Sequence, residues 1–211
     1  MVVNENIICE RLSMLFLRSI EQVANSDRRC GRNLDAKYPS WKVVYYYFSK
    51  WQKDGTWSYI LSYLVEIERI RNSKFSKPSA VAIDSQSVKK GSFVSLETGI
   101  DGNKYINGRK RHLAVDTLGL PIVIHVSAAN VHDGREGIEL LWQLEKASER
   151  LQLIRADHAY LGYFSECVNV YNWKIEISQK PESSKGFVPQ SGRWQVERSF
   201  SWLNRTGDPV F

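Results

Sequence analysis

The sequence predicts a mixed α/β sheet flanked by helices and preceded by a small helical segment. Three observations carry that expectation: an aromatic amphipathic helix near residue 41, a switch to strand-like alternation at residue 80, and the element order that follows. That order is three strands, helix, strand, helix, strand, helix. Between the two regimes NSKFSKPSA, residues 72–80, is polar and proline-bearing and reads as a linker. It divides the chain into a small helical region, 1–75, and a larger α/β domain, 76–211.

In WKVVYYYFSKWQKDGTW, residues 41–57, Trp41, Val44, Tyr45, Phe48 and Trp51 recur at helical spacing, with Pro39 and Ser40 as a start signal and Asp54-Gly55 as a stop. The aromatic stripe reads as core, and Lys42, Lys50 and Lys53 as a solvated face. A second helix is expected from about Tyr59 to Arg71, so this part has the form of a small DNA-binding unit. From residue 80 AVAIDSQSV, RKRHLAVDT (109–117) and LPIVIHVSAA (120–129) read as strands, the last two joined at the Leu118-Gly119 corner. A helix is expected over Arg135–Arg150, with Ile138, Leu141, Trp142, Leu144 and Glu145 giving a 3.6 period and Asp133 near its start. LQLIRAD (151–157), a short helix over Tyr163–Tyr171, the strand WKIEIS (173–178) and a helix beginning near Gly192 complete the order.

Composition sets outer bounds. Lysine and arginine number 29 against 23 acids in 211 residues, a net +6 that favours a polyanionic partner without naming it. Residues 1–75 carry 12 basic and 8 acidic side chains, against 17 and 15 in the remainder, so the smaller part is denser in positive charge. Cys9, Cys30 and Cys167 form no CxxC pair and no even set, which argues against a disulfide scaffold or zinc ribbon and for a reducing cytoplasm. No apolar run reaches the roughly 18 residues of a membrane span, and the first residues do not read as a secretion signal.

The chemistry is expected to gather around acids. Asp84 interrupts an apolar strand, and Asp157 ends another where it meets the loop HAYLG. If those strands are neighbours, the two carboxylates approach despite 73 positions of separation, and a divalent cation relieves their repulsion. In SGRWQVERSFSWLNR, Val196, Phe200 and Leu203 must face the core, which leaves Glu197 about 100° round the helix on a shoulder shared with Arg193 and Asn204. A plain helix surface is the alternative for that shoulder. Ser85, Gln86, Ser87, Lys89 and Lys90 beside Asp84, and Arg109, Lys110 and Arg111 in GRKRH, are candidate contacts for DNA phosphates, with a solvated edge as the alternative. His132 and His158 adjoin acids without metal-typical pair spacing and read as supporting or structural; His112, His125 and Cys167 read as packed.

Through AIDSQSVK, GRKRHLAVDTLGLPIVIHVSAANVHDGREGIELL, IRADHAYLG and RWQVERSFSWLNR, the chain resembles the DDE transposases of bacterial insertion sequences, specifically the insertion sequence five group. The resemblance covers most of residues 38–205. It implies a ribonuclease H-like catalytic domain in which Asp84, Asp157 and Glu197 match the catalytic, metal-binding D, D and E. Asp84 would bridge two Mg²⁺ ions, with Mn²⁺ as a substitute, held roughly 3.5–4 Å apart for in-line displacement at phosphorus. Arg193 matches the arginine four positions before the family's glutamate, while Gln190 and Asn204 stand where tyrosine and lysine are common; His158 and Asn204 are supporting candidates.

The implied activity is hydrolysis at element ends followed by strand transfer into target DNA. The implied partners are terminal inverted repeats, target DNA and further copies of the chain, in a bacterial cytoplasm at the nucleoid, with no membrane. The family continues past the glutamate helix with a basic segment and another helix, and it carries a pattern like GCQWR where this chain has RRCGRNLDAKYPSWK; this chain stops at TGDPVF. The expectation is therefore a C-terminally truncated copy. Its alternative function is that of a catalytically inactive remnant acting only as a DNA-binding protein.

Overall fold

A run of small and β-branched residues, Ala80 to Ile83, starts the strand on which the rest of the sheet is built. The computed structural model describes residues 41–90, 97–178 and 194–207, and in it this run opens β1, Ala80–Lys89. β2 is Gly99–Asp101, β3 Ile106–Asp116, β4 Pro121–Ala128, β5 Leu153–Ala156 and β6 Lys174–Ile177. β1 pairs antiparallel with β3, from Val81 opposite Asp116 to Lys89 opposite Gly108, and parallel with β5, Ala82 lying opposite Arg155. β6 runs parallel to β5, and β4 runs antiparallel to β3 on the edge away from β1.

Counted over the five longer strands, the sheet order is third, second, first, fourth, fifth, with the second strand antiparallel: a ribonuclease H-like sheet. β2 has no counterpart in the sequence reading. At three residues it is too short to show alternation, and it forms by pairing with the start of β3, Ile100 opposite Asn107.

The period of two along each strand sorts side chains onto two faces. On one face Val81, Ile83, Ala114, Ile154 and Ala156 pack against α3 (Asp133–Ala147) and α4 (Tyr163–Val170). On the other, Ala82, Leu113 and Val115 meet Val196, Phe200 and Leu203 of α5 (Trp194–Gly207), the three residues expected to face the core. α3 departs from its expected stripe. Gly137, Leu140, Leu141 and Leu144 are its buried residues, whereas Trp142 is 52% exposed beneath the Lys146 ammonium and Glu145 is solvent-facing. The rotation follows from Gly137, where the helix lies so close to Phe164 and Tyr160 that a Cβ would crowd both rings. The helix also ends at Ala147, short of Arg150, because Ser148 turns away to donate from Oγ to Pro78 O at 2.7 Å.

Before the sheet, α1 (Trp41–Lys53) and α2 (Thr56–Arg71) fold against each other at Gly55, whose φ of 78° makes the corner. Phe48 and Trp51 of the expected aromatic stripe pack on Trp57, while the side chains of Trp41, Val44 and Tyr45 lie outside the described residues, as do Pro39 and Ser40. The segment expected as a linker is held down. Arg69 donates Nε to Phe75 O at 2.8 Å and forms a buried ion pair with Asp116, so α2 is anchored to the β3–β4 corner. Losing one partner of such a pair costs about 3–5 kcal/mol.

Candidate active site

Asp84 follows Ala82 by two positions on β1, so it lies on the sheet face covered by α5, half-buried and accepting from the Ser85 amide at 2.7 Å. The parallel β1–β5 pairing runs from Ala80 opposite Leu153 to Ala82 opposite Arg155, so Asp84 and Asp157 each follow the last pair by two residues. Asp157 immediately follows β5 and caps a short 3₁₀ turn, His158–Tyr160, its Oδ1 accepting from Ala159 N at 3.0 Å. That bond fixes the orientation of the carboxylate. Glu197 stands on α5 one residue past buried Val196, on the solvent side. Asp84 and Glu197 line one open cleft of about 440 Å³ together with Ser85, Gln86, Phe200, Ser201, Asn204 and, exposed at its rim, Lys104.

Tyr160 packs in the core on the α3 side of the sheet. It is fully buried, and its hydroxyl is pushed well above the usual phenol range, first by burial and then by the carboxylates of Asp133, Asp84 and Asp157. A neutral phenol thus lies within the field of both strand acids. Hard carboxylate oxygens at Asp84, Asp157 and Glu197 suit Mg²⁺ or Mn²⁺, which use one or two protein carboxylates together with substrate phosphate and water. Among the described residues, no three His, Cys, Asp or Glu side chains gather closely enough to enclose an ion by themselves.

Two tethers hold α5 over the sheet. Arg111 on β3 donates from NH2 to Gln86 Oε1 at 3.1 Å and to Asn204 Oδ1 at 2.8 Å. At the β3–β4 corner Ser199 Oγ donates to Gly119 O at 2.7 Å, and Arg198 donates to Leu118 O. Gly119 takes a φ of +78° there, and a Cβ would collide with the Arg198 guanidinium, which is why the Leu118-Gly119 pair serves as the corner.

The expected DNA contacts separate by strand parity. Arg111 is buried beneath α5, where loss of water lowers its pKa to about 10, so it remains charged at neutral pH as a helix tether and not as a phosphate contact. Lys110 points to the opposite face, buried, with Nζ 2.8 Å from both Val131 O and Asp133 Oδ1, and is likewise withdrawn from DNA. Arg109 is half-buried on the α5 face, while Lys89 and Lys90 are exposed at the end of β1. His158 is exposed on the 3₁₀ turn. His132 is the N-cap of α3, its Nδ1 accepting from Gly134 N at 3.2 Å, and Cys167 packs at the margin of the α3-side core. Arg193, Gln190, Gly192, Cys9 and Cys30 lie outside the described residues.

Lys104 and Ser201 were absent from the sequence reading. Ser201 follows Glu197 by one helical turn and was legible on the helix wheel. Lys104 carried no local signal, because only the pairing of β2 with β3 brings it to the cleft.

A family model described as a transposase DDE domain matches residues 75–207, more than half of the chain and all three acids. The chain belongs to the transposase DDE domain family. This DDE domain is also similar to the integrase catalytic core of HTLV-2 solved with magnesium, at 19% identity and TM-score 0.38 over 59% of this chain and 66% of that one. Similarity to the BIV integrase catalytic core is 10% at TM-score 0.38, covering 58% and 64%. The Mos1 transposase paired-end complex with its left transposon end matches at 13% and TM-score 0.33, covering 56% and 40%. The matched part therefore spans less than two thirds of each of these chains. No curated protein matches the sequence. None of the helices among the described residues of the DDE domain is long and apolar enough to cross a membrane.

Proposed function

We propose that this chain is a DNA transposase of the insertion sequence five group, hydrolysing phosphodiesters at the ends of its element and joining the freed 3′-hydroxyl to target DNA. The observation that carries the reading is the shared cleft of Asp84 and Glu197, with Asp84 on a strand paired parallel with the one that leads into Asp157 and all three acids inside the family match. Asp84, Asp157 and Glu197 would hold two divalent ions, Mg²⁺ or Mn²⁺. When bound, such ions activate the attacking oxygen and stabilise the leaving one.

The chain's own residues supply position. The capped turn after β5 holds Asp157, β1 holds Asp84, and the Arg111–Asn204 and Ser199–Gly119 tethers hold the helix bearing Glu197. Such fixation matters because a displacement of about 1 Å costs on the order of a hundredfold in rate. Exposed Lys89 and Lys90, half-buried Arg109 and rim Lys104 are assigned to DNA phosphates, and Arg193 is assigned the same role by the family pattern. Residues 1–75 are assigned as a separate DNA-binding region, a division supported by the start of the family match at residue 75. Terminal inverted repeats, target DNA and further copies of the chain are the partners, met at the nucleoid.

The test is joining of a pre-cut element-end oligonucleotide to plasmid DNA in Mg²⁺ or Mn²⁺, comparing the chain with Asp157→Asn. Joined product from the parent chain alone supports the proposal. Absence of product with DNA binding retained by both proteins assigns the chain the other role, a DNA-binding protein without catalysis.

A further inference from the structure

We propose that the β2–β3 turn is a nucleotide clamp in which Tyr105 stacks on an unpaired base while Lys104 holds the adjoining phosphate at the mouth of the cleft. The inference rests on the proposed DNA reaction and adds a residue-level contact to it. Lys104 lines the same cleft as Asp84 and Glu197. Its neighbour Tyr105 is 86% exposed, more than any other large apolar or aromatic side chain among the described residues. Its backbone φ of +53° is a conformation that a bulky residue keeps only where the surroundings impose it.

The surroundings do impose it. Buried Asp101 accepts through Oδ1 from the amides of Asn103 at 2.9 Å and Lys104 at 3.1 Å, and Tyr105 N donates to Asp101 O at 2.8 Å. The other oxygen of Asp101 is bonded by the hydroxyl of Ser87 on β1. Burial opposes ionisation of this carboxyl, but the Ser87 hydroxyl, the two turn amides and nearby Lys110 outweigh it and hold its pKa below the usual value. The turn is thus a built platform, fastened to the strand that carries Asp84, presenting an exposed aromatic ring on the residue next to cleft-lining Lys104. An aromatic ring held in water next to a cation matches a nucleotide whose base is out of its stack, where base and phosphate are presented together. A fully paired duplex offers the lysine its phosphate but keeps base faces covered.

The experiment measures binding of the full chain, by fluorescence anisotropy, to a short labelled duplex and to the same duplex carrying an unpaired 3′ tail. The wild-type chain is expected to prefer the tailed duplex, and Tyr105→Ala to lose about tenfold in affinity for it while keeping its affinity for the blunt one. Tyr105→Trp should retain the preference. Lys104→Ala should weaken binding to both and lower the salt slope by about one phosphate contact. Unchanged tail preference in Tyr105→Ala, or an equal loss on both duplexes, overturns the clamp. A wild-type chain that binds DNA without preferring the tail overturns the clamp alone, whereas one that binds neither duplex overturns the functional reading with it.

Discussion

The two faces of the sheet use the same residue types to opposite ends. On the α3 face every ionisable group named here is matched: Lys110 with Asp133 at 2.8 Å, His125 with Glu136 at 2.8 Å, and Ser87 with Asp101. Buried His112 lies 3.0 Å from the Ser127 hydroxyl on that face. On the α5 face Asp84 and Glu197 line an open cleft together with exposed Lys104, and buried Arg111 donates to the side-chain amides of Gln86 and Asn204. One face is packed closed; the other opens two acids onto a cleft that admits a ligand. The strand segment GRKRH supplies both, sending Arg109 and Arg111 one way and Lys110 and His112 the other. A basic run on a strand is therefore two half-runs with different work, and burial decides which is which.

The sharpest way to break this contrast is at the acids themselves. Asp84→Asn and Glu197→Gln are each expected to lower strand joining by at least about a thousandfold, the loss of several kcal/mol of transition-state stabilisation, with an unchanged melting temperature. A melting temperature lowered in step with activity would make the open face structural after all. On the closed face Lys110→Met should reverse the pattern, costing about 3 kcal/mol in a urea titration because Asp133 loses its partner, while the salt dependence of DNA binding stays as it was.

His112 gives a third, smaller effect, read as a pH dependence. Burial is the main cause lowering its pKa to about 4 from 6.5, so the fold favours the neutral ring. Its stabilising contribution is complete above about pH 6.5 and is lost as pH falls toward 4. Between pH 7 and pH 5 the wild-type chain should lose on the order of 2 kcal/mol more stability than His112→Gln. Equal losses in the two proteins would remove His112 from the closed network. The smallest effect belongs to exposed Lys90: Lys90→Ala should flatten the salt slope of DNA binding by about one contact and leave stability alone.

Much of this architecture was legible in the sequence, for identifiable reasons. The alternation around Ala82 and Asp84, the Leu118-Gly119 corner and the Val196, Phe200 and Leu203 stripe are local patterns, and each element formed where its pattern lay. That β1 and β5 are neighbours was legible in the apolar runs leading to Asp84 and Asp157. What sequence could not supply was parity and rotation. Nothing local says that Arg111 turns under α5 while Lys110 turns under α3, since both follow from the register of β3 against β1. Trp142 shares the 3.6 period yet stays exposed, because the close approach at Gly137 turns Leu140 to the inner position. Lys104 and Tyr105 were invisible because β2 is only three residues long and exists by virtue of its partner strand.

On the proposed reading a divalent ion binds at the open face and not at the closed one. Electron paramagnetic resonance of Mn²⁺ titrated into the full chain tests it without requiring turnover. The account predicts that bound Mn²⁺ is lost in Asp84→Asn and in Asp157→Asn but retained in Asp133→Asn and Glu136→Gln. Retention in both open-face variants, or loss confined to the closed-face pair, would contradict it.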